Sequence, residues 1–232
     1  LLEAAAKQPV LQSLAPFDDN LAETLAAGHM RLLAADALRA GVLPALARRQ
    51  ELEEREAAGG GPFFLSSDAA VTVLRAADRR VCFLSHGWRS CVHPDPDGAA
   101  LAALLRFLRD PLGRHVVGVF VDFACLHQLP RTAGQQAAFQ QALSVMADGY
   151  ASPLGTQIAR YSVIPPCPAE LAATIAVMGA AAGVSAETVR DALGGATASV
   201  EYIDVGDPAR NVWRALPSSP DAAAAAVAAL GA

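Results

Sequence analysis

Two short apolar runs, V-C-F-L-S at 81–85 and V-V-G-V-F-V at 116–121, flank a stretch in which Leu101, Leu104, Leu105 and Leu108 recur at i, i+3, i+4 and i+7. A run that is apolar at nearly every position suits a strand buried on both faces. The leucine spacing puts one apolar stripe on a helix. A strand, a crossover helix and a second strand pair in parallel, because two parallel strands need a long connection between them. The rhythm then continues. Residues 135–150 place Phe139, Ala142, Leu143, Met146 and Tyr150 on one helical stripe, and 157–163 reads as a third strand. The centre of the chain is therefore expected to be a parallel α/β sheet.

Around this centre the sequence breaks into further parts. Residues 1–58 are rich in helix formers, with helices expected over 30–38 and 43–56, interrupted by Gly41 and Pro44. The run E-L-E-E-R-E at 51–56 reads as a solvated helix face, and A-A-G-G-G-P at 57–62 reads as a linker. Ser66, Ser67 and Asp68 offer N-caps for a helix over 69–77, and Asp97 offers one for the leucine helix. Pro165, Pro166 and Pro168 mark a boundary. Beyond it come strands at 173–178, 199–205 and 211–216 and helices at 185–193 and 220–230, with Ser185 as an N-cap. The order β-α-β-β-α is a ferredoxin-like split unit without its last strand. Three domains follow: a helical flank and linker over 1–62, an α/β domain over 63–164, and an incomplete α+β unit over 165–232.

The 232 residues are 53 % hydrophobic and 18 % charged, with a net charge of −5, which excludes a disordered polyelectrolyte and disfavours a protein that grips duplex DNA by a basic face. Lys7 is the sole lysine; the other basic residues are arginine, a bias read as genomic rather than functional. The longest apolar stretch, 171–184, falls short of the ~20 residues of a membrane span. Cys82, Cys91, Cys125 and Cys167 make no disulfide framework, so the expected setting is reducing and cytoplasmic. The start at Leu1-Leu2-Glu3 and the close within an Ala-rich helix read as a piece of a longer protein.

Chemistry-bearing residues concentrate just after the first two parallel strands. In an open parallel sheet the carboxyl ends of strands line the ligand crevice. Ser85, His86, Trp88, Asp122, Cys125, His127 and Gln128 are expected to converge there as a ligand-binding rim. Asp122 suits either a base or ribose anchor, or a loop cap that accepts backbone N–H groups. Trp88 suits base stacking or closure of the sheet edge. Cys82, His86, Cys91, His93, Cys125 and His127 could supply metal ligands, although the spacing fits no zinc motif. Cys125 beside His86 could form a nucleophile pair; a buried inert thiol is the simpler reading.

At these residues the chain resembles the heterokaryon-incompatibility (HET) domain family, a relative of TIR domains. That family shows a strand ending L-S-Y-x-W-G, a strand reading W-I-D-x-L-C-I-N-Q and a helix ending M-x-x-I-Y-x-x-A. Leu84, Ser85 and Trp88 match the first pattern, Asp122, Cys125 and Gln128 the second, and Met146 and Tyr150 the third. His86 stands in place of the Tyr and His127 in place of the Asn. The resemblance covers about 63–163. It implies a flavodoxin-like sheet and a role in signalling by self-association or partner docking, with a nucleotide-like small molecule sensed at the rim. Some TIR relatives cleave NAD with a Glu in a W-C-x-x-E motif; here Trp occurs at 88 and 213 and neither is followed by Cys. The alternatives are an NAD- or nucleotide-processing hydrolase whose Glu lies beyond this stretch, and a zinc-dependent hydrolase. The unit over 165–232 resembles an RRM. It carries three Arg against seven Asp or Glu, and the position expected to hold a stacking aromatic is Ala176, so a spacer or contact module is expected in place of RNA binding.

Overall fold

The computed structural model describes residues 15–89, 93–163, 174–178, 183–194, 197–203 and 212–230. The chain divides into two compact units, Leu1–Ile164 and Pro165–Ala232. The Pro165–Pro168 boundary, Cys91 and Cys167 lie outside the described residues.

The first unit runs α1 (Ala15–Ala26), β1 (Leu33–Ala34), α2 (Ala35–Arg39), α3 (Arg49–Ala57), α4 (Ser67–Arg75), β2 (Val81–His86), α5 (Ala99–Arg109), β3 (Gly118–Phe120), α6 (Asp122–Cys125), α7 (Ala133–Ala151) and β4 (Thr156–Tyr161). Its four-stranded sheet has the order β1-β3-β2-β4. The apolar runs do pair in parallel, with Phe83 opposite Phe120 and, on the other side of β2, opposite Ile158. Val81, Cys82, Phe83, Val119, Phe120 and Val121 are all fully buried, as expected of strands covered on both faces. Phe83 stacks on Phe120 with ring centroids 4.5 Å apart and meets Tyr150 edge-on at 5.3 Å.

The N-terminal segment differs from its sequence reading. Residues 30–38 are not one helix: Leu33 and Ala34 form β1, antiparallel to β3 through Leu33–Val119 and Ala34–Gly118, and only then does α2 begin. Local helix propensity is small per residue. Burial of Leu32 and Leu33 against the sheet, at 0 and 1 % exposure, outweighs it. Residues 43–48 are a loop carrying buried Leu43 and Leu46, so the second helix starts at Arg49. Leu21, Leu25, Leu38 and Leu52 join the same apolar cluster as Phe83 and Phe120, and α1 packs on α4 and α7. The described part of the segment read as a flank, from residue 15 on, thus shares the core and the sheet of the α/β part.

The acidic run 51–56 is also only partly a solvated face. Glu56 accepts hydrogen bonds from the backbone N–H groups of Phe63 (2.5 Å) and Phe64 (2.8 Å) and pairs with Arg31 at 3.2 Å. Those N–H groups belong to the chain leaving the linker, so this carboxylate fixes where it re-enters the sheet.

Helix ends follow sequence chemistry closely. Ser66 accepts from Ala69 N, and Thr132 from Gln135 N. At α5 the expected cap Asp97 accepts from Ala99 N at 3.3 Å, but buried Asp95 takes the N–H groups of Ala100 (2.8 Å) and Leu101 (2.9 Å). Gly98 supplies the left-handed turn between them, with φ 72°. On α7 the stripe Phe139, Ala142, Met146 and Tyr150 faces the core, whereas Leu143 is exposed. Gly149 lets α7 approach β2: a Cβ there would lie 2.2 Å from the Phe83 ring.

The second unit runs β5 (Ile175–Met178), α8 (Ala186–Ala192), β6 (Thr197–Ile203), β7 (Val212–Pro217) and α9 (Pro220–Leu230). Its three strands are antiparallel in the order β5-β7-β6. Ser185 caps α8 by accepting from Thr188 N. The helices cover one face, where Val189, Leu193, Trp213, Ala215 and Ala226 form a small core.

Candidate functional site

The parallel register brings both sequence motifs to one edge of the sheet. β2 ends at His86 and β3 at Phe120, their carboxyl ends pointing the same way. The chain after β3 turns at once into the short helix α6, whose first residue is Asp122. Trp88 Nε1 donates to Asp122 Oδ2 at 2.9 Å, which ties the segment after β2 to the segment after β3. The other carboxylate oxygen accepts from Phe123 N at 2.7 Å. Asp122 therefore acts as a loop cap and as a latch for the indole. Trp88 meets Phe123 edge-on at 5.7 Å and leaves 43 % of its surface open, and His93 packs on Phe123 from a second direction at 4.8 Å.

Three expected rim residues turn out to be braces of the loop. Cys125 is fully buried; its Sγ accepts from Val121 N (3.3 Å) and donates to Val119 O (3.5 Å). Burial pushes its thiol up to about 12, which removes the thiolate that nucleophilic chemistry requires. Gln128 donates from Nε2 to Leu126 O (2.9 Å) and Asp122 O (3.2 Å), while its own backbone is bracketed by Gln50, at 3.1 Å from N and 2.6 Å from O. His127, 7 % exposed, pairs with α3: its Nε2 lies 3.3 Å from Glu53 Oε2. Burial of Glu53 pushes its carboxyl up, but bonds from His127 and Arg49, with their charges, outweigh it and hold the group at about 2. Arg49, 4 % exposed, reaches on to Gly28 O (2.7 Å) and His29 O (2.8 Å). The loop 122–128 is thus clamped from below by Arg49, Gln50 and Glu53.

Ser85 and His86 behave differently. Each is half-buried at the end of β2, and His86 Nε2 is buried without a hydrogen-bond partner. In the register they face Arg160 and Tyr161 of β4.

Of the cysteine and histidine set, Cys91 lies outside the described residues. Among the described residues no group of three or more His, Cys, Asp or Glu is arranged to hold a metal ion. Cys82, like Cys125, is buried with its thiol pushed up to about 12. His93 accepts from Asp95 N through Nδ1 and contacts Leu46 O through Nε2, so both ring nitrogens are engaged.

Sequence reasoning missed Arg49, Gln50 and Glu53, which lie over seventy positions before their partners in the loop. No local pattern signals such a contact. It also missed Arg160 and Tyr161, which matter only because β4 pairs with β2. No family model, curated protein or solved structure matches the chain.

Proposed function

We propose that the first unit is a HET/TIR-like signalling or interaction domain that works by self-association or partner docking. It senses a nucleotide-like small molecule at the rim around Trp88 and Asp122. The observation that carries this reading is the 2.9 Å bond from Trp88 to Asp122, since it joins the two motifs on which the resemblance rests. The strand order supports it too. The three parallel strands lie as second, first, third, which is how a flavodoxin-like sheet begins. The open indole face offers a stacking surface. Both oxygens of the Asp122 carboxylate are engaged in holding the loop, which favours binding over hydrolysis at this rim. The buried free thiols Cys82 and Cys125 suit a reducing, cytoplasmic setting, and among the described residues no helix is long and apolar enough to cross a membrane.

The second unit is proposed as an RRM-like contact module. Its strand order and helix placement support that shape. Trp213 and its register partner Tyr202 lie on the helix-covered face of the sheet. On the opposite face Arg214 is paired with Glu201. Neither the aromatic platform nor the free cation that RNA stacking needs is offered by these residues.

Light scattering of the full chain over a hundredfold concentration range tests the main reading. A mass that rises with concentration is expected; a constant monomer mass refutes it. A thermal-shift series with NAD, NADP, ATP and cyclic nucleotides tests the rim. A positive shift that Asp122→Ala abolishes, while leaving most of the stability, supports ligand binding. A collapse of stability with no shift from any nucleotide assigns Asp122 to the loop alone.

A further inference from the structure

β2 and β4 meet where the sheet changes direction: the connection from β2 leads to β3 on one side, and the next leads back across to β4 on the other. Such a switch point opens a crevice at the carboxyl ends of the strands. Here α5 and β4 border a cavity of about 280 Å³, lined by Leu84, Ala103, Leu104, Phe107, Ala159 and Tyr161 together with Ile158 and Arg160. The lining is apolar apart from its end at Arg160 and Tyr161. The last two register pairs there are Ser85–Arg160 and His86–Tyr161. Among the described residues no hydrogen bond or ion pair engages the side chains of these four residues. His86 Nε2 is buried beside Tyr161 with no hydrogen-bond partner among the described residues.

We propose that this cleft is a binding site for a small monocarboxylate with an aromatic or branched aliphatic body. The body fills the slot between α5 and β4, and the carboxylate meets Arg160 at the mouth, with Tyr161 as a further hydrogen-bonding group. Three observations select this class. The volume lies at the small end of ligand pockets, which suits a small organic ligand. Among the described lining residues the one charged group is a cation, and a guanidinium fork matches a carboxylate with two parallel bonds. A phosphate would call for further N–H donors, and the amides at the start of α5 already bond Asp95 and Asp97. This site stands on geometry alone and holds whether or not the kinship to HET and TIR domains does.

Calorimetric titration of the full chain with phenylacetate, phenylacetamide and phenyl phosphate tests it. Phenylacetate is expected to bind more tightly than the other two. Arg160→Gln, at an exposed position, should weaken phenylacetate about tenfold and leave phenylacetamide unchanged. Ala103→Leu, which narrows the slot from α5, should weaken phenylacetate and phenylacetamide alike. Thermal unfolding of each variant confirms that it is folded. Absence of phenylacetate binding at millimolar concentration overturns the proposal. So does binding that survives both substitutions, or a preference for phenyl phosphate.

Discussion

Gly149→Ala isolates the contact on which the packing of α7 against the sheet depends. Two effects oppose each other. Replacing a helical glycine by alanine gains up to about 1 kcal/mol from the backbone. The added methyl, however, would sit 2.2 Å from Cε1 and Cζ of Phe83. That ring is fully buried, stacked on Phe120 and closed at its edge by Tyr150, so it has no space to move into. Overpacking of this kind costs about 1–3 kcal/mol. With the contact more than 1 Å inside van der Waals distance, the cost belongs at the upper end, and the net loss is about 1–2 kcal/mol. For a chain of this size that lowers Tm by about 2–8 °C. Urea unfolding followed by circular dichroism, with Phe83→Leu and the double variant completing a cycle, is the assay. The double variant should lose less than the sum of the singles, because the shorter side chain vacates the methyl's place. A Gly149→Ala protein more stable than the parent, or strict additivity in the cycle, would refute the close approach of α7 to β2.

Three further outcomes are expected. Asp95→Ala removes the acceptor of two buried N–H groups at the start of α5 and should cost about 2 kcal/mol or more in urea unfolding; a change under about 0.5 kcal/mol would show that Asp97 caps the helix unaided. Glu53 has its folded pKa depressed to about 2, so its stabilisation is complete above the unfolded value near 4.5 and is lost as pH falls towards 2; the stability gap between the parent and Glu53→Gln should be largest near neutral pH and close through that window, and a gap independent of pH would contradict the pairing with His127 and Arg49. Cys82 and Cys125, with thiols near 12, should resist iodoacetamide in the native protein at pH 8 and react after unfolding, as mapped by mass spectrometry; rapid native labelling of Cys125 would reopen its candidacy as a nucleophile.

Much of the fold is legible in the chain because the signals concerned are local. An apolar run makes a doubly covered strand whatever lies around it, so β2 and β3 emerge from 81–85 and 116–121, and the crossover length makes them parallel. Ser66 and Ser185 cap helices because a short hydroxyl side chain satisfies an N–H two or three residues on. The meeting of Trp88 and Asp122 also follows from sequence, since parallel strands of known direction deliver both to one edge. What could not be read there depends on partners far away in the chain. Leu33 and Ala34 lie in a stretch of good helix formers and become a strand because β3 offers a free edge and the core takes Leu32 and Leu33. Cys125, His127 and Gln128 look like reactive groups by type, and become braces because Val119, Glu53 and Gln50 stand next to them. Arg160 and Tyr161 carry no motif at all; a six-residue register with β2 alone sets them beside Ser85 and His86 at the mouth of a cavity. Periodicity and turn chemistry act over a few residues and are written into the chain. Long-range burial and pairing arise only when distant segments share a core, and that is where the role of each polar side chain was decided.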